Sequence, residues 1–159
     1  MQSKKVQSQG QQPQSKTAIA AQQPFLKTMR ELARTYGAFA AYSENHVRQL
    51  GLTPCQFDVI ATLGNTAGMS MRELAEKTLV TKGTLTGIID RLEDKELVRR
   101  EVPEDNRRSF IIVLTPKGEE VFEEVFPVHI DYLKERFDRL DSRDLEELRL
   151  LLKKLREAF

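Results

Sequence analysis

Apolar residues recur at steps of three and four along most of the chain, which predicts a mostly α-helical protein. The first such stretch covers residues 24–50, and Gly51 follows it at the position where glycine commonly ends a helix. A second helix is predicted to start after Thr53. There a capping threonine, the proline Pro54 at the first helical position and the capping-box partner Gln56 agree.

Two more capped helices follow, separated by a short connection. Ser70 and Glu73 form a capping box that opens a short helix ending at Lys77. Thr81 is predicted to cap a longer helix that reaches about Lys95 and carries its leucines and isoleucines on one face. A short helix, a tight connection and a longer helix together predict a helix-turn-helix.

A β-hairpin is predicted directly after this motif. Residues 97–102 (LVRREV) alternate like an edge strand, residues 103–106 are rich in turn formers, and residues 109–114 are rich in β-branched and aromatic side chains. A hairpin beside a recognition helix is a wing. The expected fold is therefore mostly α with a small β-hairpin wing, a winged helix-turn-helix joined to a helical dimerisation region formed by the N- and C-terminal helices.

The C-terminal part of the chain is predicted as two helices. Thr115 and Pro116 begin a helix that runs to about residue 139, and Pro127 should kink or split it because proline removes a backbone donor. Asp141 is predicted to cap the last helix, which carries a wide leucine face.

The same pattern divides the chain into four parts. Residues 1–23 contain eight glutamines and almost no large apolar side chain, so we expect a disordered tail. We predict an N-terminal dimerisation helix over residues 24–50, a DNA-binding domain over 51–115 and C-terminal dimerisation helices over 116–159. The apolar faces at both ends are wider than one small domain covers, which favours a homodimer.

Small polar side chains at the start of the longer helix suit contact with duplex DNA. They let the backbone approach phosphates and present the positive end of the helix dipole. Arg107 and Arg108 at the wing tip suit insertion into a narrow minor groove, and Asp105 can hold one of them in position. Arg99 or Arg100 can face phosphate. The candidate DNA-binding residues are Ser70, Arg72, Thr81, Lys82, Gly83, Thr84, Thr86, Arg91, Asp105, Arg107 and Arg108.

Composition narrows the class of protein further. The net charge is only +1, so any basic footprint must be local, and a single cysteine excludes an intrachain disulfide. No apolar run approaches the ~18 residues of a membrane span, so we expect a cytoplasmic protein. We find no arrangement of nucleophile and base and no metal-ligand spacing among His46, His129 and Cys55. We therefore expect no enzyme activity, no cofactor and no metal.

The chain closely resembles the MarR family of transcriptional regulators over residues 25–159. The resemblance rests on the entry LTPCQF, the pattern TLTGIIDRLE and, most specifically, the wing and its exit EDNRRSFIIVLTPKG. It implies a homodimer that binds a pseudo-palindromic operator in double-stranded DNA. It also implies repression that is relieved by a small ligand or an oxidant.

The sequence leaves two hypotheses for regulation open, a small ligand and oxidation of a thiol. Phe39, Tyr42, His46 and Phe57 could line a cleft of the kind in which relatives bind aromatic acids, although ordinary core packing explains each of them singly. Cys55 lies at a helix start, where thiol reactivity is physically possible, so a redox response is an alternative. A winged helix that serves as a protein-interaction module is the remaining alternative to a DNA-binding regulator.

Overall fold

The computed structural model describes residues 15–102 and 110–159 as seven helices and three short strands. These described residues fall into two compact units, one that ends at Ala40 and one that begins at Ala41. In chain order the elements are α1 (Lys16–Ala21), α2 (Phe25–Gln49), α3 (Pro54–Leu63), β1 (Met69–Ser70), α4 (Met71–Lys77), α5 (Lys82–Asp94), β2 (Val98–Glu101), β3 (Ile111–Leu114), α6 (Pro116–Phe137) and α7 (Ser142–Arg156).

The first unit contains a helix that the sequence analysis missed. The Ser15 hydroxyl accepts a hydrogen bond from the backbone N–H of Ala18 and caps α1. The expectation of a disordered tail is therefore wrong for Lys16–Ala21; residues 1–14 lie outside the described part of the chain. Glutamine-rich composition hid a local run of good helix formers that follows a capping serine.

The two predicted capping boxes of the second unit are confirmed. Thr53 and Gln56 form a reciprocal capping box at the start of α3, and Ser70 and Glu73 form another at the start of α4. The core of this unit lies between α3, α4, α5, the sheet and α6. Its most deeply buried side chains are Val47, Val59, Ile60, Leu63, Leu74, Leu85, Ile89, Leu92, Val98, Ile112 and His129.

The sheet has three antiparallel strands in the order β1-β3-β2, so the predicted hairpin is confirmed but incomplete. The additional strand pairs Met69 with Ile112 and Ser70 with Ile111. Gly68 makes this close pairing feasible. Its φ is +92°, and a Cβ there would lie 2.7 Å from the backbone oxygen of Ile112.

The predicted effect of Pro127 is corrected in one respect, because α6 continues through it as one helix. Phe122 and Val125 are buried before the proline and His129 after it, so packing holds both sides of the lost hydrogen bond. The last helix, α7, begins at the predicted cap Asp141 and has no buried residue. Within residues 15–102 and 110–159, no helix is long and apolar enough to cross a membrane.

Candidate nucleic-acid interface

The α5 helix is divided sharply into a buried apolar face and an exposed polar face. Leu85, Ile88, Ile89 and Leu92 are at most 3% exposed and fix the helix against the core. The opposite side exposes five of the predicted DNA-binding residues, and they are Thr81, Gly83, Thr84, Thr86 and Arg91. A rigidly mounted helix that presents hydroxyls, a glycine and an arginine suits contact with a groove of DNA.

The N-terminus of α5 differs from the prediction in one detail. Thr81 occupies the N-cap position, but its side chain accepts no capping hydrogen bond from the helix backbone. Its hydroxyl instead lies 2.9 Å from the hydroxyl of Thr84. The first N–H groups of the helix thus lack the usual side-chain acceptor, which suits an approaching phosphate oxygen.

Gly83 has no internal reason to be a glycine. A Cβ added there would meet nothing within 4 Å. Since glycine lowers helix stability by about 1 kcal/mol relative to alanine, its presence on an exposed turn is consistent with close approach of an external backbone.

The short helix α4 contributes Arg72, and its N-cap is Ser70. The Ser70 backbone N–H and the Ser70 hydroxyl both donate to the Glu73 carboxylate at 2.8 Å, and these two bonds, the backbone one first, lower the pKa of Glu73. The Arg72 side chain is exposed and pairs with Glu76 at 3.0 Å, one helical turn on. A surface pair of this kind is weak, so Arg72 can exchange its partner for a phosphate at little cost.

The strand β2 is tied to α5 by Arg100. Its guanidinium reaches the Asp90 carboxylate at 2.7 Å and also contacts Glu93, and its backbone N–H donates to Glu93 at 3.1 Å. The expectation that one of Arg99 and Arg100 can face phosphate stays a prediction, and Arg99, which is exposed, is the candidate for it. Arg99 pairs with Glu101 on the strand surface. Sequence reasoning missed this bridge because the three partners lie on two different elements.

Three of the predicted DNA-binding residues, those of the predicted wing tip, lie outside the described part of the chain. Asp105, Arg107 and Arg108 fall within residues 103–109, and the side chain of Lys82 is likewise not described. Their roles stay predictions. The described strands that lead to the tip, β2 and β3, are in register from Val98 paired with Leu114 to Glu101 paired with Ile111.

Three of the four predicted ligand-pocket residues meet in one aromatic cluster, which we define as Tyr42, His46, Phe57, His129 and Tyr132. The His46 ring stacks on Tyr132 at 3.8 Å, Tyr42 stacks on Tyr132 at 4.3 Å, and Phe57 meets His129 edge-on at 4.7 Å. The fourth, Phe39, belongs to the first unit, where its side chain is 39% exposed.

The two histidines of the aromatic cluster are hydrogen-bonded to each other. Their Nδ1 atoms lie 2.9 Å apart, and the second ring nitrogen of His129 lies 3.1 Å from the Ser43 hydroxyl. Burial, and secondarily the neighbouring His46, lowers the pKa of His129. The sequence analysis predicted His46 as a pocket residue but neither His129 nor Tyr132, since only the fold brings α6 against α2 and α3.

A separate surface cleft of about 560 Å³ lies between the end of α2 and α6. Leucines and valines line it together with polar residues that include Lys95, Lys117 and Glu124, and none of the four predicted pocket residues lines it. Cys55 is exposed in the first turn of α3. Among the described residues, no three His, Cys, Asp or Glu side chains are grouped so that they could hold a metal ion.

Comparison with known proteins identifies the family. The sequence model of the MarR family matches residues 52–110. The transcriptional regulator MhqR of Bacillus subtilis is 28% identical over 82% of this chain and 90% of its own length. The crystal structure of AbsC, a MarR family regulator from Streptomyces coelicolor, is 31% identical with a TM-score of 0.72, covering 93% of this chain and 97% of AbsC. Sco3205, a regulator of the same family and organism solved in complex with DNA, is 26% identical with a TM-score of 0.69, covering 81% of this chain and 86% of its own. This chain therefore belongs to the MarR family of transcriptional regulators.

Proposed function

We propose that this protein is a dimeric transcriptional regulator, not an enzyme, that binds double-stranded DNA sequence-specifically through the N-terminus of α5. The observation that carries the proposal is the construction of that helix. Its apolar face is buried, and Thr81, Gly83, Thr84 and Thr86 are exposed at the end where the helix dipole is positive. The likeness to Sco3205, solved with DNA, supports the same partner for this chain.

The dimer in this proposal is formed by the terminal helices. One face of α7 carries leucines that are 36–59% exposed, namely Leu148, Leu151, Leu152 and Leu155, although α7 is a regular capped helix. A leucine face of that extent suits contact with a second copy. Two copies would place two recognition helices on one side of a duplex, about one helical turn apart, and would read a pseudo-palindromic operator.

Repression relieved by a small ligand is the mode of regulation that we propose. The aromatic cluster supports it, because it joins α2, α3 and α6 and offers stacking surfaces beside imidazole nitrogens. An effector that altered this packing would shift α3, which packs directly against the helix-turn-helix core. We place the protein in the cytoplasm, where its DNA target lies.

The experiment that tests the DNA-binding proposal is selection of duplexes from a random pool, followed by a salt titration on the selected site. We expect an inverted repeat and an affinity that falls steeply as salt rises. Thr84→Ala and Arg107→Ala should both weaken binding, and Arg107→Ala should flatten the salt dependence. Asp94→Ala, at the exposed C-terminal end of α5, is the matched control and should bind like the natural chain. Absence of any selected sequence would reject the proposal and favour a protein-interaction module.

A further inference from the structure

The connection between α4 and α5 carries a side chain that the mechanism above leaves unused. Leu79 is 85% exposed, the largest exposed fraction among the large apolar residues described between the two ends of the chain. It lies two residues before Thr81, the N-cap of α5. A leucine side chain this exposed has one of two explanations. Either it contacts another molecule, or the surrounding backbone is not held in one position.

The backbone around Leu79 is held firmly by the residues on both sides of it. On one side Thr78 is 7% exposed and its hydroxyl donates to the backbone oxygen of Leu74 at 2.7 Å. On the other side Val80 is 8% exposed and belongs to the hydrophobic core. With both neighbours anchored inward, the Leu79 side chain is directed outward by the fold.

A third helix fixes the same point of the backbone. The N–H of Leu79 donates to the Asp58 carboxylate on α3 at 2.7 Å, across 21 residues of sequence. Asp58 is half-buried, and burial raises its pKa even though this hydrogen bond acts in the opposite direction. Partial burial disfavours the charged form of Asp58, yet a carboxylate occupies this position and accepts the hydrogen bond from Leu79. This indicates that the protein needs the Leu79 backbone to be held where it is.

From these contacts we infer that Leu79 is a specificity-determining residue whose side chain contacts the 5-methyl group of a thymine in the major groove, with Asp58 as its positioning residue. Leucine carries no donor or acceptor, so the thymine methyl is the feature of a base edge that it complements. The adjacent start of α5 supplies hydroxyls for polar edges. This inference rests on the proposed DNA-binding function and adds a residue to it.

The test uses the full-length protein and the duplex that it selects from a random pool. Each thymine of one half-site is replaced in turn by deoxyuridine, which lacks only the methyl group. At one position the affinity of the natural chain should fall about threefold to tenfold. Leu79→Ala should lower affinity by a similar factor and should show no further loss at that position. At every other thymine the two proteins should respond equally.

Three further variants separate recognition of the base from folding. Leu79→Met keeps an apolar side chain and should restore the response to the methyl group. Asp58→Asn keeps an acceptor oxygen and should behave like the natural chain. Asp58→Ala should lose the response to the methyl group, and the backbone amide hydrogen of Leu79 should then exchange faster with solvent. Equal melting temperatures for Leu79→Ala and the natural chain are expected because the side chain is exposed.

The outcomes distinguish this inference from the function on which it rests. If the natural chain selects no sequence, both fail. If it selects an inverted repeat but Leu79→Ala binds it equally well, or loses affinity equally with thymine and deoxyuridine at every position, DNA binding stands and the thymine contact is rejected. The second result would place Leu79 against the sugar-phosphate backbone instead.

Discussion

Replacing Arg100 should loosen the wing strand from the recognition helix. Its guanidinium bridges Asp90 and Glu93 on α5 from its place on β2, and it also lies over the Phe110 ring at 5.6 Å. The side chains of Arg100 and Glu93 are 30% and 28% exposed, and that of Asp90 is 55% exposed. The Glu93 pair is therefore the less screened of the two.

These exposures set the expected energies. The exposed Asp90 pair should contribute about 0.5 kcal/mol, as surface ion pairs do. The Glu93 pair, which is mostly removed from water and charge-assisted, should contribute about 1–1.5 kcal/mol. Loss of the contact with Phe110 adds about 0.5 kcal/mol. Together, Arg100→Ala should lower the free energy of unfolding by about 2 kcal/mol.

Urea unfolding at one fixed protein concentration measures this effect, and double-mutant cycles with Glu93→Ala and Asp90→Ala assign it to each pair. Arg99→Ala is the matched control. Arg99 is the neighbouring arginine of the same strand, pairs with the exposed Glu101, and should cost less than about 0.5 kcal/mol. DNA affinity should also fall for Arg100→Ala, because the wing is no longer fixed against α5. Equal costs for the two arginines, or a coupling to Glu93 below about 0.3 kcal/mol, would refute this reasoning.

Four further substitutions test other parts of the structure. Gly83→Ala meets open space, so it should raise the free energy of unfolding by up to about 1 kcal/mol while weakening DNA binding; unchanged binding would contradict close approach of DNA there. Gly118→Ala places a Cβ against the backbone oxygen of Leu97 and should lower stability by about 3 kcal/mol, measured by urea unfolding. The lowered pKa of His129 means that the unfolded chain takes up this proton first as pH falls through about 6.5. Stability should therefore decrease on acidification from about pH 7 to 5, and His129→Asn should flatten that decrease. Leu151→Glu, on an exposed face, should yield a folded monomer by sedimentation, and a dimer of natural stability would exclude α7 from the interface.

Local signals in the sequence were sufficient for most of the helices. The capping boxes at Thr53 and Ser70 and the cap at Asp141 each involve residues three positions apart, so the chain itself carries the whole motif. The same reasoning failed for β1. Two residues, Met69 and Ser70, form a strand only because β3 lies beside them, and Ser70 was already assigned to a helix cap.

The residues of the candidate site could be predicted only where they all lie on a single helix. The exposed residues of α5 follow from its helical period, because Leu85 and Ile89 had to face the core. The bridge from Arg100 to α5 and the contact of Asp58 with Leu79 join residues that are 7–21 positions apart on different elements. Such contacts depend on how the elements pack, which periodicity does not encode.

Hydroxyl-radical footprinting of the selected duplex tests the central claim most directly. If two recognition helices of a dimer enter successive major grooves from one side, two protected patches should appear on one face of the DNA, centred about 10 base pairs apart. Gly83→Ala and Thr84→Ala should weaken both patches together. A single protected patch, or protection that persists unchanged in these variants, would contradict recognition by paired α5 helices.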